Sequence, residues 1–189
     1  MNYLSDAGAL LINTLFGLLL GVLLLRIALQ AIRANFYNPI CQAIYKVTNP
    51  ILMPLQRFVP VRRGLHWPGL VLAWLLALVW MWVLHALRGM APGPVALLLL
   101  GLAKLLDFAL VMAMLLIVLR ALLSLVGGGY DGPMLPVIAQ LTDPLLRPIQ
   151  RILPALGGFD FSPLFAILAI TLLRILVVRP LFDFAAGVQ

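Results

Sequence analysis

Arg174, Asp107 and Lys104 carry the chemistry that most needs explaining, because each is a charge inside or beside a long apolar run. A charge near the centre of a membrane helix costs ~2.5–3.5 kcal/mol on insertion scales, so it points inward and finds a partner. Arg174 stands near the middle of the last run, and Asp107 is the acid nearest to it in depth. The depths predict a contact between them. Lys104 and Asp107 are three apart, so they can also pair along one helix face. Arg26 and Arg120 sit toward the ends of their runs, where a long side chain can snorkel to the surface, and that reading is preferred to a functional site. A pore needs a continuous polar lining, whereas Asn13, Thr14, Gln30, Ser124 and Thr171 are scattered.

Little else is reactive. There are six Asp and no Glu, and His66 and His85 fall in no ligand spacing. No metal, no cofactor and no catalytic residue is therefore expected, and the chain reads as a non-enzyme. Cys41 is the lone cysteine, so it forms no internal disulfide and reads as a small packing residue. The formal charge of +7 would suit nucleic acid, but the basic residues lie in short loops between apolar runs. In that setting they set membrane orientation and meet anionic headgroups. Nucleic acid is not the expected partner.

With 64% hydrophobic residues, 10% charged and a mean hydropathy of +1.13, too little polar surface is available to coat a water-soluble globule. Four stretches reach the ~20 apolar residues of a spanning helix, at roughly 8–32, 67–87, 101–126 and 162–180. Apolar residues already begin at Val95, so the third stretch is either one long tilted helix or a span preceded by a short lead-in over 95–100. The lead-in is preferred. Residues 1–7 hold no Lys or Arg, so the first stretch reads as a retained helix. Trp67, Trp74, Trp80 and Trp82 read as lipid-facing or interfacial anchors, and Gly17 with Gly21 as a small-residue packing pair.

Segment 48–60 recurs 94 positions later as 142–154 without a gap. The register aligns Asn49-Pro50 with Asp143-Pro144, Pro54 with Pro148, Gln56-Arg57 with Gln150-Arg151, and Pro60 with Pro154. It extends to Arg26 with Arg120 and Pro39 with Pro133. A fixed period means a duplicated unit. The units are 1–94 and 95–189, divided at the Gly- and Pro-rich loop that begins at Arg88. Each unit crosses twice, so the halves are parallel and both loops share one side. That side bears Arg33, Lys46, Arg57, Arg62, Arg63, Arg147 and Arg151 against Arg88 and Arg179 opposite. The positive-inside rule puts the loops in the cytoplasm and both termini in the periplasm.

Each loop has two helix-start signals, Asn38-Pro39 then Asn49-Pro50, and Gly132-Pro133 then Asp143-Pro144. Two short helices per loop are predicted, the second kinked at Pro54 or Pro148 and stopped at Pro60 or Pro154. In that second helix Ile51, Leu52, Leu55, Phe58 and Val59, or Leu145, Leu146, Ile149, Ile152 and Leu153, share one face. Gln56, Arg57, Arg147, Gln150 and Arg151 project opposite, the pattern of a helix lying in the headgroup plane. The predicted fold is all-α: four transmembrane helices as a parallel duplication of a two-span unit, each unit with a short proline-kinked amphipathic helical hairpin on the cytoplasmic side.

The segments 49–60 and 143–163, with Phe36-Tyr37-Asn38-Pro39 and Lys46-Val47-Thr48, resemble the signature of the YggT family over nearly the whole chain. One departure is 62–67, Arg62-Arg63-Gly64-Leu65-His66-Trp67, which lacks the Gly-Gly and the acid of the second copy. The resemblance implies an integral protein of the bacterial inner membrane, related to plastid proteins of cytochrome assembly and linked to osmotic-stress tolerance and cell-division gene neighbourhoods. It implies no catalytic residues. A scaffold or assembly factor is the expected function, binding membrane lipid and a membrane-protein partner or a second copy through Gln56, Arg57, Arg62, Arg63, Arg147, Gln150 and Arg151. An ion or solute pathway is the alternative, supported by Arg174, Lys104 and Asp107 in or near apolar spans, with Arg26 and Arg120 as the other intramembrane polar residues.

Overall fold

A computed structural model describes residues 3–35, 37–56, 66–126, 132–152 and 160–188, and among these every regular element is helical. The long helices are α1 (Tyr3–Ala31), α3 (Trp67–Leu87) and α4 (Pro94–Val126). A fourth is continuous from α6 (Ser162–Leu173) through a π-helical turn (Arg174–Val178) into α7 (Arg179–Gly187). These four are long and apolar enough to cross a membrane. Only 17% of each apolar window is buried inside the molecule, so most of these side chains face outward. In hydrocarbon that exposure carries no penalty, while a helix satisfies its own backbone there.

Local chemistry ends the spans. Arg33 takes φ 54° and Ala34 N–H returns to Leu29 O at 2.9 Å, closing α1. Gly89, at φ 72°, does the same for α3, with Met90 N–H on His85 O at 2.9 Å. At the start of α3, His66 Nδ1 accepts from Gly69 N–H at 2.9 Å.

The third and fourth spans are longer than expected. α4 has no lead-in: it runs unbroken for 33 residues because Gly101, the weak point, packs directly on α3. A side-chain carbon there would stand 3.2 Å from the Leu78 Cα, so glycine permits the close approach. The last span continues past 180 because the π turn, with Arg179 N–H on Arg174 O, delivers Pro180 into the first turn of α7.

Among the described residues the loop helices are α2 (Pro39–Gln56) and α5 (Met134–Ile152), one continuous helix in each loop where a hairpin was expected. Asn38 does start α2, its Oδ1 accepting from Ile40 N–H at 2.9 Å. Asn49 and Asp143 start nothing, and α2 runs through Pro50 and Pro54 as α5 does through Pro144 and Pro148. Both side chains are instead taken by arginines of the spans. Of the expected apolar face, Leu52, Leu146 and Ile149 pack into the molecule, while Ile51, Leu145 and Ile152 are left exposed on its outside. The stops at Pro60 and Pro154 and the apolar positions Phe58, Val59 and Leu153 lie outside the described residues.

The spans form a row, with α1 packed on α3, α3 on α4, and α4 on α6 and α7. Leu20, Leu23, Leu24, Ile27, Leu52 and Trp80 fill the core of the first half, and Ile117, Leu146, Ala166 and Ile170 that of the second. Between them Leu29, Ala34, Cys41 and Val137 join α1 and α2 to α5. Cys41 is buried there, which pushes its thiol pKa up.

Candidate functional site

Each loop helix is fastened to the span before it by an arginine 23 residues ahead of an Asn or Asp. Arg120 Nη1 donates to Asp143 Oδ1 at 2.6 Å, to Thr142 Oγ1 at 2.8 Å and to Ala139 O at 3.3 Å. The other carboxylate oxygen of Asp143 accepts from Arg147 Nη2 at 2.8 Å. Partial burial pushes the Asp143 carboxyl up, but the two guanidiniums overcome this and hold it below the ordinary carboxylate range. The partly buried Arg120–Asp143 bond contributes up to ~1.5–3 kcal/mol, whereas the exposed i,i+4 contact of Arg147 is screened and contributes ~0.3–0.5 kcal/mol.

Arg26 is only 6% exposed, and its guanidinium carbon lies 3.2 Å from the centre of the Tyr45 ring. Its Nη2 donates to Asn49 Oδ1 at 3.4 Å. Both arginines, expected to snorkel toward the surface, are engaged by side chains of the loop helix. Burial raises the Tyr45 pKa against the opposing charge of Arg26. Burial, followed by the charge of Arg26, lowers that of His66.

A second polar constellation lies inside the spans. Arg174 Nε donates to Asp107 Oδ1 at 2.8 Å, joining α4 to the π turn, with the side chains 34% and 25% exposed. Beside them Thr171, Val178, Arg179 and Phe182 help enclose a cavity of about 280 Å³. A π turn at such a place is a common mark of a functional site. Lys104 does not pair with Asp107. Its Nζ rests 4.1 Å over the Trp80 ring, because Arg174 already occupies the carboxylate. Trp80 is no lipid anchor: it is 2% exposed, donates to Asn13 Oδ1 at 3.0 Å and packs between Phe16 and Phe108. Gly17 and Gly21 face the same Phe108 ring.

The remaining expected contact residues divide. Gln150 Nε2 donates to Asp160 Oδ2 at 2.8 Å, while Asp160 Oδ1 accepts from Ser162 N–H, so Gln150 ties α5 to the start of α6. Arg147 is engaged with Asp143, and Arg151 is exposed at the end of α5. Gln56 ends α2, and Arg57, Arg62 and Arg63 lie outside the described residues. Tyr45, Asn49, Thr142, Asp143 and Asp160 were not anticipated as site residues. Their signal was present in the equal spacing of Arg26 to Asn49 and Arg120 to Asp143.

The CCB3/YggT family model matches residues 5–87 and again 99–181, two stretches offset by 94 positions at both ends. An uncharacterised protein of Pseudomonas aeruginosa is 37% identical over 180 residues, covering 94% of this chain and 91% of that protein. The Escherichia coli K12 protein YggT, also named as uncharacterised, is 38% identical over 84% of this chain and 82% of its own. A Vibrio alginolyticus protein named for its position in the proC 3′ region is 40% identical over 82% and 84%. No solved structure matches.

Proposed function

The chain belongs to the CCB3/YggT family, and we propose that it is a non-enzymatic scaffold or assembly factor of the bacterial inner membrane. It serves envelope biogenesis or osmotic-stress tolerance by holding a membrane-protein partner or anionic lipid against its two loop helices. In this reading residues 1–94 and 95–189 are equivalent two-span units, the loop helices face the cytoplasm, and both termini face the periplasm.

One observation carries the reading: α2 and α5 are pinned to α1 and α4 by Arg26 and Arg120 and also touch each other. Asn38 Nδ2 donates to Pro133 O at 2.6 Å. Helices in contact cannot lie on opposite faces of a bilayer, which supports a single shared ledge. The exposed cation Arg151, and with it Arg57, Arg62 and Arg63 of the neighbouring segment, suits an acidic partner or headgroups. Crosslinking in native membranes tests this. The unaltered chain is expected to give a crosslinked partner that an Arg57→Ala, Arg151→Ala double variant loses, and an unchanged crosslink would refute the reading.

A transport pathway is the second reading, favoured by the Asp107–Arg174 pair and its cavity. Ion flux in proteoliposomes that disappears with Arg174→Gln would support it over the scaffold.

A further inference from the structure

The two pins differ in charge. Arg120 meets a carboxylate, while at the matching place Arg26 meets Asn49, an amide that accepts a hydrogen bond and cancels no charge. Asn49 is also distant, at 3.4 Å against 2.6 Å for Asp143. Where Arg120 faces Ala139, Arg26 rests on Tyr45. Its Nε and Nη1 are enclosed and have no hydrogen-bond partner among the described residues. A buried guanidinium without an anion is costly, and here none of the described ion pairs includes it.

Below Arg26 an apolar groove of about 360 Å³ opens between α1, α2 and α3. Leu15, Leu19 and Val22 of α1, Val47 and Ile51 of α2, and Leu76 of α3 line it. Leu15, Leu19, Val22 and Arg26 follow one another at spacings of four, three and four, so Arg26 continues the same stripe one turn above the groove. From Leu15 to Val22 the groove follows α1 for ~10 Å, and Arg26 is itself about 7 Å from the end of that helix. Leu15 and Ile51 remain more than half exposed, so the groove is open sideways. Exposed Arg33 and Lys46 add positive charge near the same end of α1.

We propose that the groove and Arg26 form a site for one anionic phospholipid, with an acyl chain against Leu15, Leu19 and Val22 and the phosphate taken by the guanidinium. Held by a long bond to Asn49 and by the Tyr45 side chain, with no carboxylate, Arg26 can exchange Tyr45 for the phosphate, an exchange that the carboxylate of Asp143 denies to Arg120. The lipid supplies from outside the negative charge that the second half carries within. This site rests on the membrane-embedded reading above and specifies its lipid.

Thermal unfolding of the purified full chain in detergent tests the site, with phosphatidylglycerol, phosphatidylcholine or glycerol phosphate added. Phosphatidylglycerol is expected to raise the midpoint by several degrees and the other two to leave it unchanged. Asn49→Asp supplies the missing carboxylate, so it should raise the lipid-free midpoint and remove most of the gain from phosphatidylglycerol. Val22→Trp fills the groove and should reduce the gain while leaving both pins intact. Equal gains from the two lipids, a gain from glycerol phosphate alone, or an undiminished gain in Asn49→Asp would overturn the site. A partner crosslink that survives such a failure leaves the scaffold reading standing; a lipid gain without any crosslink does the reverse.

Discussion

Arg174 and Asp107 show what a single residue discloses by depth alone. Two charges at matching depth in apolar runs need one another, and their atoms lie 2.8 Å apart. Reversing either charge leaves two like charges facing each other, and loss of one partner of a buried pair costs ~3–5 kcal/mol, less where the pair is partly exposed as here. Single variants Asp107→Arg and Arg174→Asp are expected to yield little folded protein, and the double variant to recover it, as read by membrane yield and thermal midpoint. Asp143 makes a prediction in pH. Its folded pKa is lowered, so its contribution is complete above the ordinary carboxylate value of about 3.9 and disappears as pH falls toward the folded value. Asp143→Asn should flatten the acid unfolding curve in that window. His66, also lowered, adds an earlier loss: the unfolded imidazole takes up its proton below about 6.5 before the folded one does. Depth along a helix is legible in sequence, but direction around it is not. Trp80 therefore reads as a lipid anchor until Asn13, Phe16 and Phe108 are seen around it.

Among the elements, the four spans could be read from apolar length, whereas their internal punctuation could not. Asn49-Pro50 and Asp143-Pro144 are sound helix-start signals locally, and the long-range pull of Arg26 and Arg120 overrides them. Likewise Gly101 reads as the beginning of a span and is instead a point of contact between helices. A methyl group there collides with Leu78, so Gly101→Ala should cost ~1–3 kcal/mol through overpacking at the α3–α4 seam. At Gly17 and Gly21 the added carbon would stand 3.7 Å from Phe108, an ordinary contact. Alanine there should be neutral or gain up to about 1 kcal/mol of helix propensity. Thermal midpoints of the three variants in one detergent check the contrast. For α5, Arg120→Gln removes the charge that Asp143 faces, and faster proteolytic cleavage within 134–152 is the expected sign of a detached helix.

On the scale of the whole molecule, the row of spans leaves most apolar side chains facing outward, and the ion pairs among the described residues fall in two places. One is the contact between α4 and the π turn, and the other is the pinned helix α5, which meets α2. The 94-residue register places the two loop segments at matching positions in sequence, but it does not disclose that Asn38 joins them to one another through Pro133. The proposed function depends on that shared ledge facing the cytoplasm. Its most direct test introduces single cysteines at Gln56 and Gln150 in a Cys41→Ala background and labels them with a membrane-impermeant maleimide in intact and permeabilised cells. The account predicts that both positions stay unlabelled until the inner membrane is opened. Labelling of one position but not the other in intact cells would place the two loop helices on opposite faces and contradict it.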